Sequence, residues 1–471
     1  MSLRLRNTLG GALEPFEPLD PALVRVYSCG PTVYAPAHIG NFRSFVFADL
    51  LVRYLRWSGY RVRWVMNITD VDDKIIRDAH RRGIPIGDLT APFLSHFMED
   101  LARLRIGPPD AFPRATEHIP AMARLIVTLI ERGHAYRTDD GSIFFRIASW
   151  PAYGRLASLD PAAQRVGERV EADEYAKDDV RDFALWKGPR PDEPSWETEV
   201  GLGRPGWHIE CSAMAMAELG PSLDVHTGGV DLIFPHHEDE MAQSEAATGQ
   251  PFVRTWLHCA HLQMGGRKMA KRDGNVARPA DLYAAGLSPR ALRFALLAAH
   301  YRAGLECSDE SLAAAAAAVE RLSTLLVALD AYHEERPDDA GAAAAIDTAR
   351  AGFVAALDDD LNTPQALAAL FELVRDLNRR IDARSLSSAD AARAAAAIRD
   401  LDRVLAVAED QAEETLPEEL AKLLEARAAA RQARDWAESD RLRDLLVGRG
   451  LVVEDTRDGQ RWRRVREPVD A

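Results

Sequence analysis

A chain of 471 residues exceeds what one hydrophobic core ordinarily serves, which predicts two to four domains. With 47% hydrophobic and 28% charged residues it has the composition of a soluble globular protein, and no apolar run reaches the roughly 20 residues of a membrane span. A net charge of −15 argues against broad electrostatic capture of nucleic acid, but residues 421–471 carry 12 Lys/Arg against 10 Asp/Glu, so a nucleic acid would be met by local patches. Four scattered cysteines (Cys29, Cys211, Cys259, Cys307) exclude a disulfide framework, and the N-terminus lacks the apolar stretch of a signal peptide. A cytoplasmic protein without membrane contact is expected.

Val24–Tyr27 reads as a short strand, followed by the Gly/Pro-rich turn CGPTVYAPAHIGN. Phe47, Leu50, Leu51, Tyr54 and Leu55 then recur at helical spacing, Gly59 ends that helix, and YRVRWVMNI reads as the next strand. This β-α-β unit predicts an α/β fold with a Rossmann-like parallel sheet, although the GxGxxG dinucleotide fingerprint is absent. Residues from about 115 to 205 have broken patterns and many prolines and glycines, which suggests an insertion between two halves of the sheet. The sheet-like pattern resumes at GWHIECSAM and TWLHCAHLQM. From Ser308 the chain turns alanine-rich and predicts a helical bundle, with Thr363-Pro364 as an N-cap and first-turn proline. From about 418 one long charged helix and a β-hairpin (GLVVEDTRDGQRWRRV) are expected.

Three constellations carry chemistry. In DLIFPHHEDE the proline and acids suit the first turn of a helix, and His236 and Glu240 lie at i,i+4 on one face. Cys29, at the carboxyl end of the first strand where open sheets bind ligands, and Cys211 complete a zinc-like donor set. Spacing alone leaves these as core cysteines and a polar helix cap, with His237 as a competing ligand. His38 and Asn41 of AHIGN open the first long helix, whose N-terminal N–H groups suit phosphate. Lys268 and Lys271 sit in a glycine-flanked loop, GGRKMAKRDGN, either as a triphosphate clamp or as an ordinary basic loop.

The order of these segments, together with NITDVDDKI, HTGGVDLIFPHHEDEMAQSEA and ALDDDLNTPQA, resembles the cysteinyl-tRNA synthetase family of class I aminoacyl-tRNA synthetases over the full chain. His38-Ile39-Gly40-Asn41 stands for the family's HIGH motif, and Lys268-Met269-Ala270-Lys271-Arg272 for KMSKS with two serines replaced. The resemblance implies one zinc ion held by Cys29, Cys211, His236 and Glu240, with His237 and Glu238 in the surrounding shell. It implies catalytic roles for His38, Asn41, Lys268 and Lys271, and cysteine or ATP contacts from Gly30, Thr69, Trp207, Asp231 and Lys271. Magnesium accompanies ATP. At the tRNA-binding end, Trp436 would stack on a base while Arg461, Arg463 and Arg464 meet phosphate.

Expected boundaries are a catalytic domain at 1–114 and 206–307, a connective insertion at 115–205, a helical bundle at 308–415 and an α+β anticodon-binding region at 416–471. The expected partners are tRNA(Cys), cysteine and ATP, and the chain is expected to be a monomer. Zinc ligation of the substrate sulfur, by a fifth bond or a loosened carboxylate, would reject serine without editing. Two rivals share parts of this pattern. A cysteine:aminosugar ligase of mycothiol synthesis would not need the C-terminal reader, and a non-catalytic tRNA-binding homologue would not need the intact lysines and donor set.

Overall fold

The computed structural model describes residues 3–158, 181–191, 193–265, 267–268, 276–408, 418–449, 451–456 and 459–464. The chain divides into two compact units, 1–279 with 289–408, and 280–288 with 409–471.

The first unit opens with a hairpin of β1 (Arg4–Arg6) and β2 (Leu13–Pro15). Then β3 (Val24–Ser28), α1 (Ile39–Trp57) and β4 (Val62–Met66) form the expected β-α-β unit. Phe47, Leu50, Leu51, Tyr54 and Leu55 are all buried on α1. Helices α2 (Asp73–Arg82), α3 (Ile86–Arg103) and α4 (Ile119–Glu131) follow. A separate antiparallel sheet is built from β5 (Ala135–Arg137), β6 (Ile143–Phe145), β7 (Phe183–Lys187) and β8 (Arg204–Pro205).

GWHIECSAM is not a strand: it opens α5 (Trp207–Leu219) behind Gly206. Nearly every residue from Ile209 to Ala215 is buried there, so the amphipathic period that marks a helix is erased, while Ala, Met, Glu and Leu still favour helix. The missing central strand is β9 (Leu223–Gly229), leading through an irregular turn to α6 (Glu238–Thr248) and β10 (Val253–Cys259). The four parallel strands run in the order β10-β9-β3-β4. Beyond them a small sheet joins β11 (Leu262–Met264), β12 (Arg267–Lys268) and β13 (Leu305–Glu306). Between β12 and β13 lie α7 (Pro279–Ala284) and α8 (Pro289–Leu297).

Helices α9 (Asp309–Asp330), α10 (Ala340–Asp358), α11 (Thr363–Asp382) and α12 (Ser388–Leu405) form the bundle. The cap of α11 is Asn362, whose side chain accepts from Gln365 N, while Thr363 is the first helical residue and its hydroxyl reaches Ala299 O. By length and composition α9 and α10 are apolar enough to cross a membrane, contrary to the sequence reading; their alanines account for it, and both helices pack in the bundle.

In the second unit the expected single helix is two, α13 (Glu418–Gln432) and α14 (Trp436–Val447). Arg434 takes a left-handed backbone (φ 58°) and Asp435 caps α14 by accepting from Glu438 N. The hairpin of β14 (Leu451–Thr456) and β15 (Gly459–Arg464) closes on a small core of Leu420, Leu424, Leu446, Leu451 and Val453.

Candidate active site

The carboxyl ends of β3, β9 and β10 converge on one buried cluster. Cys29 follows β3 and Cys211 lies on α5, with sulfurs 3.9 Å apart. Phe234 is extended (φ −137°, ψ 132°) before Pro235, and helical backbone begins by His237 (φ −71°, ψ −30°). This entry sets His236 one turn before Glu240, with His236 Nε2 3.0 Å from Glu240 Oε1. Glu240 Oε1 is 3.8 Å from Cys29 Sγ. Tetrahedral zinc bonds of about 2.0–2.3 Å imply ligand-to-ligand edges of roughly 3.3–3.8 Å. These separations lie within a few tenths of an ångström of that range, and the donor atoms of Cys29, Cys211, His236 and Glu240 are all within 4.8 Å of one another. The residues therefore fit a zinc ion in both donor chemistry and size.

The protonation pattern is set by burial and mutual contacts. Burial would raise the Glu240 carboxyl, but His226 and His236 overcome it and hold its pKa at about 2. His236, which burial would depress, is raised to about 10 by Glu240 and Cys211. The Cys29–Cys211 hydrogen bond lowers Cys211, while burial and Cys211 push Cys29 up. One thiolate, one carboxylate and one imidazolium thus share a buried cluster.

An outer ring orients these donors. His236 Nδ1 faces His208 Nδ1 at 2.9 Å, and His208 Nε2 lies 3.3 Å from Asp239 Oδ2, while Asp239 Oδ1 accepts from Tyr153 Oη at 2.6 Å. Such carboxylate-to-histidine relays fix the ring orientation of a ligating imidazole. His208, His226 and His258 were not singled out in the sequence, and only the topology gathers them, whereas Asp239 is one of the first-turn acids of DLIFPHHEDE. Glu238, expected in the shell of the site, instead accepts from Gly154 N and Ala157 N and holds the turn after the β5–β6 hairpin.

At the start of α1, His38 Nδ1 accepts from Asn41 N (3.2 Å) and Asn41 Oδ1 accepts from His38 N (3.1 Å). This reciprocal capping box fixes both side chains of the motif. In the neutral ring it leaves Nε2 as the nitrogen that carries the proton. Ile39 N donates to Ala277 O at 3.0 Å, so helix-end amides expected to meet phosphate are already engaged. Arg43, one turn on, is 2% exposed. Its guanidinium donates to Ala260 O (2.9 Å), His261 O (2.6 Å), His300 O (3.3 Å) and Ala303 O (2.5 Å). Ala260–His261 leads into β11 and Ala277 follows the lysine loop, so α1 fastens both flanks of that loop.

Residues 15–317 match the family model of the tRNA synthetases class I (C) catalytic domain, 352–409 a DALR domain, and 413–463 the cysteinyl-tRNA ligase anticodon binding domain. The cysteine–tRNA ligase of Halorhodospira halophila is 46% identical over 472 residues, covering 98% of this chain and all of the relative. The chain belongs to the cysteine–tRNA ligase family. A second such ligase, from Solibacter usitatus, is 45% identical over 468 residues, again covering 98% of this chain and all of the relative. Solved class I structures share the fold. Mycobacterium tuberculosis methionyl-tRNA synthetase has a TM-score of 0.57 at 18% identity over 88% of this chain and 96% of its own. The Agrobacterium radiobacter leucyl enzyme reaches 0.63 at 13% over 83% and 85%.

Gly30 is the neighbour of Cys29 in the chain. Gly30 N donates to Asn67 Oδ1 (2.9 Å), and a Cβ on Gly30 would stand 1.8 Å from Asn67 O, so only glycine fits. Asn67 Nδ2 also donates to Thr69 Oγ1 (3.2 Å), which makes Asn67 an unforeseen brace for Gly30 and Thr69. Trp207 stacks on His236 (centroids 4.3 Å) and is 40% exposed, forming one wall at the surface side. Asp231 folds back toward Gly229, where a Cβ would come within 2.5 Å of its Oδ1.

Lys268 ends β12, while Ala270, Lys271 and Arg272 lie outside the described residues. Trp436 is the first residue of α14 and 57% exposed, with the Arg431 guanidinium over its ring at 5.7 Å. Arg461, Arg463 and Arg464 lie on β15 opposite Glu454, Val452 and Leu451.

Proposed function

We propose that the enzyme activates cysteine with Mg·ATP and transfers it to the 3′ end of tRNA(Cys), using a zinc ion held by Cys29, Cys211, His236 and Glu240 to select the thiol. The observation that carries this reading is the buried two-sulfur, one-imidazole, one-carboxylate cluster at the carboxyl ends of the sheet, beside the capped His38 motif. When bound, zinc supplies a position that prefers a thiolate over a neutral hydroxyl and so separates cysteine from serine.

The chain's own residues do the rest. Gly30, braced by Asn67, gives close backbone approach; Thr69, Trp207 and Asp231 position the amino acid. The cysteine carboxylate attacks the α-phosphorus, pyrophosphate leaves, and a terminal ribose hydroxyl then attacks the carbonyl of the cysteinyl-adenylate, taking the cysteinyl group and releasing AMP. His38 Nε2–H and the Asn41 side chain meet phosphate oxygens, while Lys268 and Lys271 balance the charge on the departing pyrophosphate. Trp436 and the β15 arginines Arg461, Arg463 and Arg464 meet the anticodon end of the tRNA, and the enzyme works as a cytoplasmic monomer. The domain boundaries proposed are those expected from the sequence, with the insertion at 115–205 and the anticodon-binding region at 416–471.

The test is transfer of radiolabelled cysteine or serine to a tRNA(Cys) transcript, with metal content measured alongside. Charged tRNA with cysteine alone is the expected result. Adenylate formation without charged tRNA would favour an aminosugar acceptor, and equal charging with serine would remove the metal's selective role.

A further inference from the structure

Among the described residues two donor sets, not one, converge on the sulfur of Cys29 and the carboxylate of Glu240. Glu240 presents Oε1 to His236 Nε2 and Oε2 to His226 Nε2, each at 3.0 Å. On the inner side His237 Nε2 stands 3.3 Å from Cys29 Sγ and 3.9 Å from Glu240 Oε1. The donor atoms of Cys29, His226, His237 and Glu240 all lie within 4.8 Å of one another, as close as those of the outer set. Both inner histidines are fully buried.

Packing alone does not account for how His237 is held. Its Nδ1 faces His258 Nε2 at 2.8 Å, and His258 Nδ1 faces Thr8 Oγ1 at 2.7 Å. With the Thr8 hydroxyl accepting, this relay places a proton on each Nδ1 and leaves the His237 Nε2 lone pair aimed at the Cys29 sulfur, the arrangement that orients metal-ligating histidines. Space for the ring comes from Gly228, where a Cβ would lie 2.6 Å from His237 Cε1. Charge favours the inner set as well. One thiolate and one carboxylate neutralise a divalent ion among buried groups, whereas the outer set leaves one excess negative charge.

Resting on the zinc reading above, we propose that Cys29 and Glu240 serve two alternative positions of one ion: an outer one completed by Cys211 and His236, and an inner one completed by His226 and His237. The outer position, with two soft thiolates, holds zinc in the intact protein. The inner one receives it when an outer ligand is lost. Cys29 and Glu240 are then indispensable, while Cys211 and His236 are not.

The experiment measures zinc content and the cobalt(II) absorption spectrum of purified full-length variants, with circular dichroism as the control for folding. Cys211→Ala should keep close to one equivalent of metal, with its affinity lowered by no more than ~100-fold and its sulfur-to-cobalt charge-transfer band about halved. Cys29→Ala should be metal-free. The double variant Cys211→Ala/His237→Asn should lose the metal that Cys211→Ala retains. Loss of metal from Cys211→Ala as complete as from Cys29→Ala overturns the inner position, as does full retention by the double variant. Wild-type protein without stoichiometric zinc would instead overturn the zinc reading itself, so the two failures are distinct.

Discussion

Replacing Arg43 by methionine tests the link between the two signature segments. The guanidinium donates four hydrogen bonds to carbonyls of two separate chain crossings, at Ala260–His261 and at His300 and Ala303. Charge-assisted bonds contribute about 1.5–3 kcal/mol each, so the gross loss is roughly 6–12 kcal/mol. Against this stands the cost of burying a cation, several kcal/mol; burial lowers the Arg43 pKa, with Cys259 the opposing influence. The net destabilisation expected for Arg43→Met is about 3–5 kcal/mol, the gross loss of the four bonds less the relieved cost of burying the cation. Arg43→Lys, which keeps the charge but not the planar fork, should recover less than half of it. Urea unfolding gives the stability, and ATP–pyrophosphate exchange gives the KM for ATP, which should rise because the flanks of the lysine loop lose their common anchor. Metal content should stay unchanged. A methionine variant within about 1 kcal/mol of wild type, with an unaltered KM for ATP, would refute the anchoring role.

A second buried guanidinium makes a sharper contrast: Arg293, fully buried, meets Asp49 at 2.5 Å, and Asp49→Asn should cost about 3–5 kcal/mol in thermal or urea unfolding by leaving that cation unpaired. Gly30→Ala should abolish cysteine activation, since its methyl would collide with Asn67 O; retention of normal pyrophosphate exchange would show that the backbone there yields. Asp73 joins α2 to the insertion sheet through Lys187 and Arg204, both at 2.7 Å. Burial would raise the Asp73 pKa, but those cations outweigh it and lower it, so the contribution is present above the ordinary carboxylate range and lost as pH falls through the depressed value. Hydrogen-exchange protection factors in β7 and β8, corrected for the intrinsic rate at each pH, should therefore fall on acidification below pH ~4, and Asp73→Asn should flatten that limb. Trp436→Ala, at a site 57% exposed, should leave the melting temperature and pyrophosphate exchange unchanged while lowering kcat/KM for tRNA. An unchanged kcat/KM would remove Trp436 from the tRNA interface.

Much of the architecture was legible because local periodicity survives where an element has one wet face. Helix α1 and the amphipathic α11 could be read in this way, and Cys29 could be placed at a strand end. Periodicity failed where burial is complete. The Cys211 helix looked like sheet because almost all of its first two turns are inside, and β9 passed unnoticed although it is the strand between β3 and β10. The break between α13 and α14 was missed because it depends on one left-handed residue, Arg434, with no glycine to signal it.

By itself the sequence determined the chemical inventory and the order of the parts: a parallel sheet, an insertion, a bundle, and two cysteines, a histidine and a glutamate suited to zinc. The elements are carried by residue type and near-neighbour spacing, whereas the four zinc ligands, three of them far apart in the chain, were implied by the family resemblance. Only the tertiary structure decided which imidazoles face which sulfur. His208, His226, His237 and His258 come from one helix, a turn and two strands, and a relay such as Thr8 to His258 to His237 joins residues 250 positions apart. Nothing local specifies such a meeting. It follows from the strand order β10-β9-β3, which brings their carboxyl ends to one buried place where polar groups must find partners in one another.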